Sequence, residues 1–363
     1  SFFACSATLS AGENVWTTAG PPGPITALAA DSDVVFAGSF ANGQGVGYRG
    51  FDGVMGWTPI GEVPLYWSIS DFAADPADPD RVYAAANYGQ LVSAVYRSED
   101  GGQNWNHVAS LRGPIFDLVV RPDRPGTLYA ASSYCFRIPA HLPSCAAEIQ
   151  KSLDFGATWT STRDGLAASA ISTIAIDPVD PNKIYAGGDG GVFLSTDAGD
   201  HWSAINAGLT CLPTLALVVH ASEGAVFAAS GRLESSRLTC GGVHRSVDGG
   251  RSWTRTAIPA HYFTSIAIDP TNPRTMYAAA YSPGGFFVPR GTVFRSTDGG
   301  DTWTELGLGL PVSGVTDLVI DATGSRLHAA TPEGVFDVEV VPGARPPVIS
   351  PRFRGTRTLP ARP

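Results

Sequence analysis

Rings and guanidinium groups gather in three segments of this sequence: Tyr134, Phe136 and Arg137; Arg232 and Arg237; Tyr281, Phe287 and Arg290. Aromatic faces stack on sugars or fill pockets of a protein partner, and a guanidinium fork grips a carboxylate through two parallel hydrogen bonds. Both residue types are enriched at interface anchors. The chemistry on offer is recognition, and these eight side chains are the candidate ligand-binding residues. No Gly-x-Ser-x-Gly elbow, phosphate-cradling loop or paired-histidine metal motif occurs, and no Asp or Glu pair stands out in the same segments. No catalytic residue, metal ligand or cofactor is therefore assigned.

A second set of residues repeats at fixed spacing. Ser-x-Asp-x-Gly-x-x-Trp occurs five times, with Asp100, Asp154, Asp197, Asp248 and Asp298 as its acids and Trp105, Trp159, Trp202, Trp253 and Trp303 closing the copies. A worn sixth copy keeps Asp52 and Trp57 but has Gly50 for the Ser and Val54 for the Gly. The Ser hydroxyl and Asp carboxylate suit acceptance from nearby backbone N–H groups, Gly takes a positive φ, and Trp anchors the returning strand. One active site does not need five equivalent acids, so the motif reads as a structural hairpin.

Each copy ends a larger unit, clearest in residues 171–207: an apolar run ISTIAID, a Pro-rich turn, the runs KIYAGG and GVFLS, the Asp hairpin, then Trp and a fourth run. Four short antiparallel strands repeat. Pro pairs three apart mark the first turn at Pro76/Pro79, Pro122/Pro125, Pro178/Pro181 and Pro270/Pro273, where a fixed φ and a missing N–H suit a connection. Seven of the eight tryptophans, Trp16 among them, open a fourth strand, and Trp67 is the exception. The last unit, 315–341, has three strands and no Trp of its own, while 15–20 is a fourth strand with no preceding three. Pairing the chain ends in one sheet closes a ring of seven and leaves no gap between blades. The fold class expected is all-β, a seven-bladed propeller of four-stranded blades over residues 13–343, with an N-terminal arm at 1–12 and an extended Pro/Arg-rich tail at 344–363.

These units resemble Asp-box (BNR) repeats, and the fuller pattern IDPxxPxxIYAGxxxGVFxSxDxGxxW is similar to the seven-bladed propellers of sortilin-type receptors, xyloglucan hydrolases and photosystem II assembly factors. The resemblance implies the blade, whereas its members divide between enzymes, receptors and assembly factors. Sialidases are similar more distantly, through the Asp-box. Phe136-Arg137-Ile138-Pro139 matches their FRIP segment, and two from among Arg232, Arg237 and Arg290 would complete an arginine triad with Arg137. Here, however, that segment lies mid-chain between Cys135 and Cys145, and the ring has seven units where sialidases generally have six. The xyloglucan hydrolases work between two propellers that each give a carboxylate, and one ring supplies half of that.

In such a blade the loop joining the second and third strands lies opposite the Asp hairpin. These loops are long at 39–47, 87–94, 132–148, 230–242 and 281–291 and minimal in the fourth and seventh units. All the candidate binding residues fall in or beside them, so one face is expected to carry recognition.

Composition narrows the partners. Acids outnumber bases 33 to 24, for a formal charge of -9, and no Lys/Arg-rich run occurs before the C-terminal tail, which argues against nucleic acid. An apolar fraction of 44% supports a large core, and no apolar stretch is long enough to span a membrane. Cys135 and Cys145 bracket one segment and Cys211 and Cys240 fall in one later unit, which fits two local disulfides in an oxidising compartment; free buried thiols are the alternative. Cys5 is left over, and SFFACS loosely resembles a bacterial lipoprotein cleavage site, which would make Cys5 a lipid anchor; an ordinary N-terminal arm is the alternative. The tail ARPPVISPRFRGTRTLPARP, with five Arg, five Pro and no acid, reads as extended. The function expected is an exported, non-catalytic recognition or assembly module for a protein or glycan, located outside the cell, in the periplasm or on the cell surface. Its alternative is a glycoside hydrolase, xyloglucanase-like or sialidase-like.

Overall fold

The computed structural model describes residues 16–31, 34–41, 44–51, 56–62, 67–89, 92–136, 144–221, 223–234, 237–282, 290–306, 309–311 and 314–340. They build seven four-stranded antiparallel sheets. The first strand, β1 (Thr17–Pro22), belongs to the last sheet. Blade 1 is β2 (Ile25–Asp31), β3 (Val34–Ala41), β4 (Gln44–Phe51) and β5 (Trp57–Glu62). Blade 2 is β6 (Ser68–Asp75), β7 (Asp78–Tyr88), β8 (Val92–Ser98) and β9 (Asn106–Arg112), and blade 3 is β10 (Ile115–Val120), β11 (Leu128–Phe136), β12 (Ser144–Ser152) and β13 (Thr160–Thr162). Blade 4 is β14 (Ile171–Ile176), β15 (Ile184–Gly188), β16 (Gly191–Ser195) and β17 (Ser203–Ala204), and blade 5 is β18 (Thr214–Val219), β19 (Val226–Glu234), β20 (Arg237–Ser246) and β21 (Thr254–Arg255). Blade 6 is β22 (Tyr262–Ile268), β23 (Met276–Ser282), β24 (Arg290–Ser296) and β25 (Thr304–Glu305), and blade 7 is β26 (Asp317–Ile320), β27 (Arg326–Thr331), β28 (Gly334–Glu339) and β1.

The first strand of every blade packs against the first strand of the next, and β26 returns to β2, so the chain is a closed seven-bladed propeller. Closure is made by β1 on β28, with Thr17 opposite Asp337 and Pro22 opposite Gly334. β1 is the rim strand of its sheet, a position where Pro21 and Pro22 interrupt no central ladder. Trp16 is 3% exposed and donates its indole N–H to the Leu306 carbonyl of blade 6 at 3.2 Å. One Pro pair departs from the turn reading. β7 begins at Asp78 and takes in Pro79, outside the stretch where β7 pairs regularly with β6, because the register jumps between Ala74 and Asp75.

The second strand of each blade explains the tight stacking. Val82-Tyr83-Ala84-Ala85, Ile184-Tyr185-Ala186 and Met276-Tyr277-Ala278-Ala279 are fully or nearly fully buried. Both faces of this strand meet a neighbouring blade, so it reads as a continuous apolar run rather than an alternating one, and alanine lets the sheets approach.

The Asp hairpins lie at the opposite end from the second-to-third-strand hairpins. After β16, Ser195 Oγ donates to Asp197 Oδ1 at 2.8 Å and accepts from the Gly199 amide at 2.8 Å, while Oδ1 also accepts from the His201 amide at 3.0 Å. Gly199 holds φ +89° there, against the ring of Tyr129 in blade 3. The same bonds recur around Asp100, Asp154, Asp248 and Asp298. Side-chain bonds from Asn104, Thr158 and Ser252 hold Asp100, Asp154 and Asp248 below the usual carboxylate range, to about 2 for Asp100 and Asp248. Asp52 lies outside the described residues.

Candidate functional site

Six of the seven axial strands carry a bulge at one level, between Ile25 and Ala27, Ile69 and Asp71, Ile115 and Asp117, Ile171 and Thr173, Thr214 and Ala216, and Phe263 and Ser265. A bulge frees backbone donors and re-aims side chains. The residue after it, or its blade 7 counterpart Asp317, reaches the neighbouring blade. Asp71 Oδ2 accepts from the Leu118 amide at 2.6 Å, Asp117 Oδ2 from the Ile174 amide at 2.6 Å, and Asp317 Oδ2 from the Leu28 amide at 3.3 Å. Asp317 Oδ1 accepts from Ser265 Oγ at 2.9 Å. Thr26, Thr264 and Thr316 hydroxyls donate to the Ile69, Val315 and Ile25 carbonyls of the following blades. These bonds form a girdle across the interfaces between blades 1 and 2, 2 and 3, 3 and 4, 6 and 7, and 7 and 1.

The girdle encloses an axial cavity of about 320 Å³ lined by Asp71, Asp117 and Asp317. Burial pushes all three carboxyls up, Asp317 to about 6, and for Asp71 the neighbouring Asp117 charge adds to it. Asp71 and Asp117 are neighbours whose titrations are linked, and both are held above the usual carboxylate range, first by burial. Such a pair has the acid and base needed for proton transfer, yet each carboxylate already accepts a backbone N–H. Its geometric role is to brace adjacent blades. Sequence reading passed over these residues, although one signal was present: SISDFAAD, IFDLVV and VTDLVID each place an Asp in the interior of an axial segment, directly before an apolar residue.

The residues expected to bind a ligand stand at the end of the ring that carries the extended hairpins. β11 and β12 pair as far as Phe136 opposite Ser144, β19 and β20 as far as Glu234 opposite Arg237, and β23 and β24 as far as Ser282 opposite Arg290. Blade 4 turns between Gly188 and Gly191 and blade 7 between Thr331 and Gly334. Tyr134 and Phe136 are on β11 of blade 3, Arg232 and Arg237 on the blade 5 hairpin, and Tyr281 and Arg290 on that of blade 6. The Arg232 guanidinium pairs with Glu234 at 3.1 Å, both more than half exposed. Tyr281 packs its ring over Gly314, where a Cβ would stand 2.9 Å from Tyr281 Cδ2. Arg137 and Phe287 lie outside the described residues.

Sequence reasoning also missed an apolar patch at this end. Phe40, Tyr88, Val92 and Phe116 are 36%, 50%, 38% and 40% exposed. Phe40, Tyr88 and Val92 flank the hairpin tips of blades 1 and 2, Trp67 stands 5.8 Å from Tyr88, and Phe116 borders the axial cavity. The face thus divides into an aromatic sector over blades 1 to 3 and an arginine-bearing sector over blades 5 and 6.

Cys211 and Cys240 form a disulfide that ties the segment before β18 to β20. Cys145 is also disulfide-bonded, and its register partner across β11 and β12 is Cys135. Cys5 lies outside the described residues. Disulfides of this kind belong to an oxidising, non-cytoplasmic compartment. Among the described residues no helix is long and apolar enough to cross a membrane, and no group of three or more His, Cys, Asp or Glu side chains is arranged to hold a metal ion.

Neither a family model nor a curated protein matches the chain. Solved structures do. A GH74 enzyme from Niastella koreensis superposes with a TM-score of 0.67 at 20% identity over 89% of this chain, and the GH74 xyloglucanase from Xanthomonas campestris with 0.65 at 20% over 89%. This chain spans 53% of each of those enzymes. YCF48 bound to D1 peptide superposes with 0.65 at 13% identity, covering 92% of this chain and all of that one, and YCF48 from Cyanidioschyzon merolae with 0.62 at 14%. At such identities the likeness is one of fold, shared between enzymes and a peptide-bound protein.

Proposed function

We propose that this propeller is an exported, non-catalytic recognition or assembly module that holds a protein partner against the end bearing the long hairpins. The observation that carries this reading is the exposure of Phe40, Tyr88, Val92 and Phe116 at that end, with the half-buried Trp67 beside Tyr88. Broad apolar patches rimmed by polar groups mark interaction surfaces, and aromatic and arginine anchors concentrate their binding energy. Similarity to YCF48 bound to D1 peptide supports a polypeptide partner. The candidate residues Tyr134, Phe136, Arg137, Arg232, Arg237, Tyr281, Phe287 and Arg290 would supply the rest of the surface, with the extracellular space, periplasm or cell surface as its setting.

A second reading has its own observation: the neighbouring Asp71 and Asp117 carboxyls lining an axial cavity, in a fold similar to GH74 enzymes. A glycoside hydrolase built on that pair would need both carboxyls free to reach substrate, whereas here they brace the ring.

The first reading is tested on peptide and glycan arrays, followed by titration of the best-bound probe. Tyr88→Ala and Phe116→Ala are each expected to weaken that probe by about tenfold or more, since burying an aromatic anchor contributes on the order of 2 kcal/mol. The midpoint of thermal unfolding should barely move, because both side chains are exposed. Binding unchanged in both variants would place recognition elsewhere on the molecule.

A further inference from the structure

The third strand of every blade has one residue directly opposite the first alanine of the second strand's small-residue pair. In blades 1, 2, 4, 6 and 7 it is Tyr48, Tyr96, Phe193, Phe294 and Phe336, and in blade 5 it is His244. This side chain acts as a wedge. Tyr96, Phe193, Phe294 and Phe336 are at most 7% exposed and sit in the core clusters between blades. Blade 3 alone has an amide there, Gln150, opposite Ala130. Two residues earlier on the same face, where the other blades have Val46, Ala94, Gly191, Gly242, Thr292 and Gly334, blade 3 has the charged Glu148.

The consequence is an open cleft between blades 2 and 3. It measures about 400 Å³, with Ser110 and Arg112 of β9 on one wall, Glu148 and Gln150 of β12 on the other, and the indole of Trp159 beside them. That volume is in the range of small-molecule sites, about 300 to 1,000 Å³. Gln150 is 8% exposed, and among the described residues nothing hydrogen-bonds its side-chain amide. Neither Glu148 nor Arg112 has a described side-chain partner. The amide faces the cleft, where water or a ligand can meet it, whereas an aromatic wedge would have closed that opening in one substitution. Ser110 Oγ is hydrogen-bonded to His107 Nε2 at 3.0 Å, so the unspent hydrogen-bonding capacity beside the indole is that of Gln150, Glu148 and Arg112.

We infer that the cleft between blades 2 and 3 is a carbohydrate-binding site for a neutral pyranose. Its deep polar group is the uncharged Gln150 amide, which can donate to one hydroxyl and accept from another. Glu148 accepts from hydroxyls, Arg112 donates at the rim, and Trp159 offers the apolar surface that a sugar ring lies against. A zwitterionic ligand would instead need its two charges matched at depth, and the charged groups here stand nearer the rim than the amide. The site is on the ring's circumference, away from the hairpin end, and does not depend on what binds there.

The test titrates the purified protein with cellobiose, N-acetylglucosamine and the methyl glycosides of glucose, galactose and mannose, read by saturation-transfer NMR and calorimetry, with glycine as the zwitterionic probe. Gln150→Tyr rebuilds the wedge of the other blades, and Glu148→Ala removes one acceptor without filling the cleft. At least one sugar should saturate, weaken about tenfold or more in Glu148→Ala for the loss of a charge-assisted hydrogen bond, and lose binding in Gln150→Tyr. Gln150→Tyr should unfold at or above the wild-type temperature. Should that variant fail to fold, Glu148→Ala decides alone. The assignment is overturned if no sugar saturates, if glycine binds and the sugars do not, or if sugar affinity survives the variants that fold.

Discussion

A chain shortened to begin after Pro22 is expected to lose cooperative folding. The truncation removes Trp16, which is 3% exposed in the cluster holding Leu306, Val315, Val338 and Val340. Emptying a buried Trp site alone costs about 3 to 5 kcal/mol. It also strips the outer ladder from β28, whose exposed edge then sits beside an apolar cluster. Against a total stability of about 5 to 15 kcal/mol for a typical domain, the two losses together are large enough to open the ring between its last and first blades. Moving residues 13–22 to follow Val340 through a flexible linker should restore the transition, because β28 regains the same partner. Urea unfolding followed by tryptophan fluorescence and circular dichroism reads both proteins. A truncated chain that unfolds in one step at the full-length midpoint would show that β1 is dispensable.

The second large effect is a dependence of stability on pH that two single variants should tilt in opposite directions. Burial raises Asp317 to about 6 in the folded chain, while unfolded it titrates near its ordinary value of about 4. The folded state holds that proton through the interval between, so its contribution to stability is fully present below about pH 4 and is lost as the pH rises through about 6. Two pKa units correspond to about 3 kcal/mol. Asp317→Asn does not titrate, so its stability relative to wild type should improve by about that amount between pH 4 and pH 7. His244 behaves inversely. Burial, with the Arg255 charge adding to it, lowers His244 to about 4, so its contribution is fully present above its unfolded value of about 6.5 and lost as the pH falls through about 4. His244→Phe, which installs the wedge of blades 4, 6 and 7, should therefore gain on wild type as the pH falls. Parallel curves for wild type and Asp317→Asn would mean that Asp317 does not hold its proton in the fold.

Much of the architecture is written in short-range chemistry. Ser195, Asp197, Gly199 and Trp202 complete a hairpin from residues within one turn of chain, so spacing alone reveals it, and the mismatch between a fourth strand at the N-terminus and three strands at the C-terminus states the closure of β1 on the last blade. The axial aspartates were harder to see because their partners are remote. Asp71 bonds Leu118 and Asp317 bonds Leu28 across blade boundaries, and a bulge, which no residue type announces, decides where each side chain points. Gln150 becomes meaningful only when blades are aligned by register and seen to lack a ring there. Tyr88 and Phe116 looked like ordinary strand residues, since exposure is set by what neighbouring blades leave uncovered. Arg232 read as a free anchor, yet its guanidinium pairs with Glu234 two residues further along the same strand, β19.

Release of reducing sugar from β-glucan, xyloglucan and sialylated substrates, by wild type and by the Asp117→Asn and Arg137→Ala variants, tests most directly whether this ring binds without catalysis. The expected result is release no greater than without protein for all three, while the wild-type protein binds the array-selected probe. Sugar release by wild type that either substitution abolishes, in a variant that remains folded, would contradict the account and make the molecule a hydrolase.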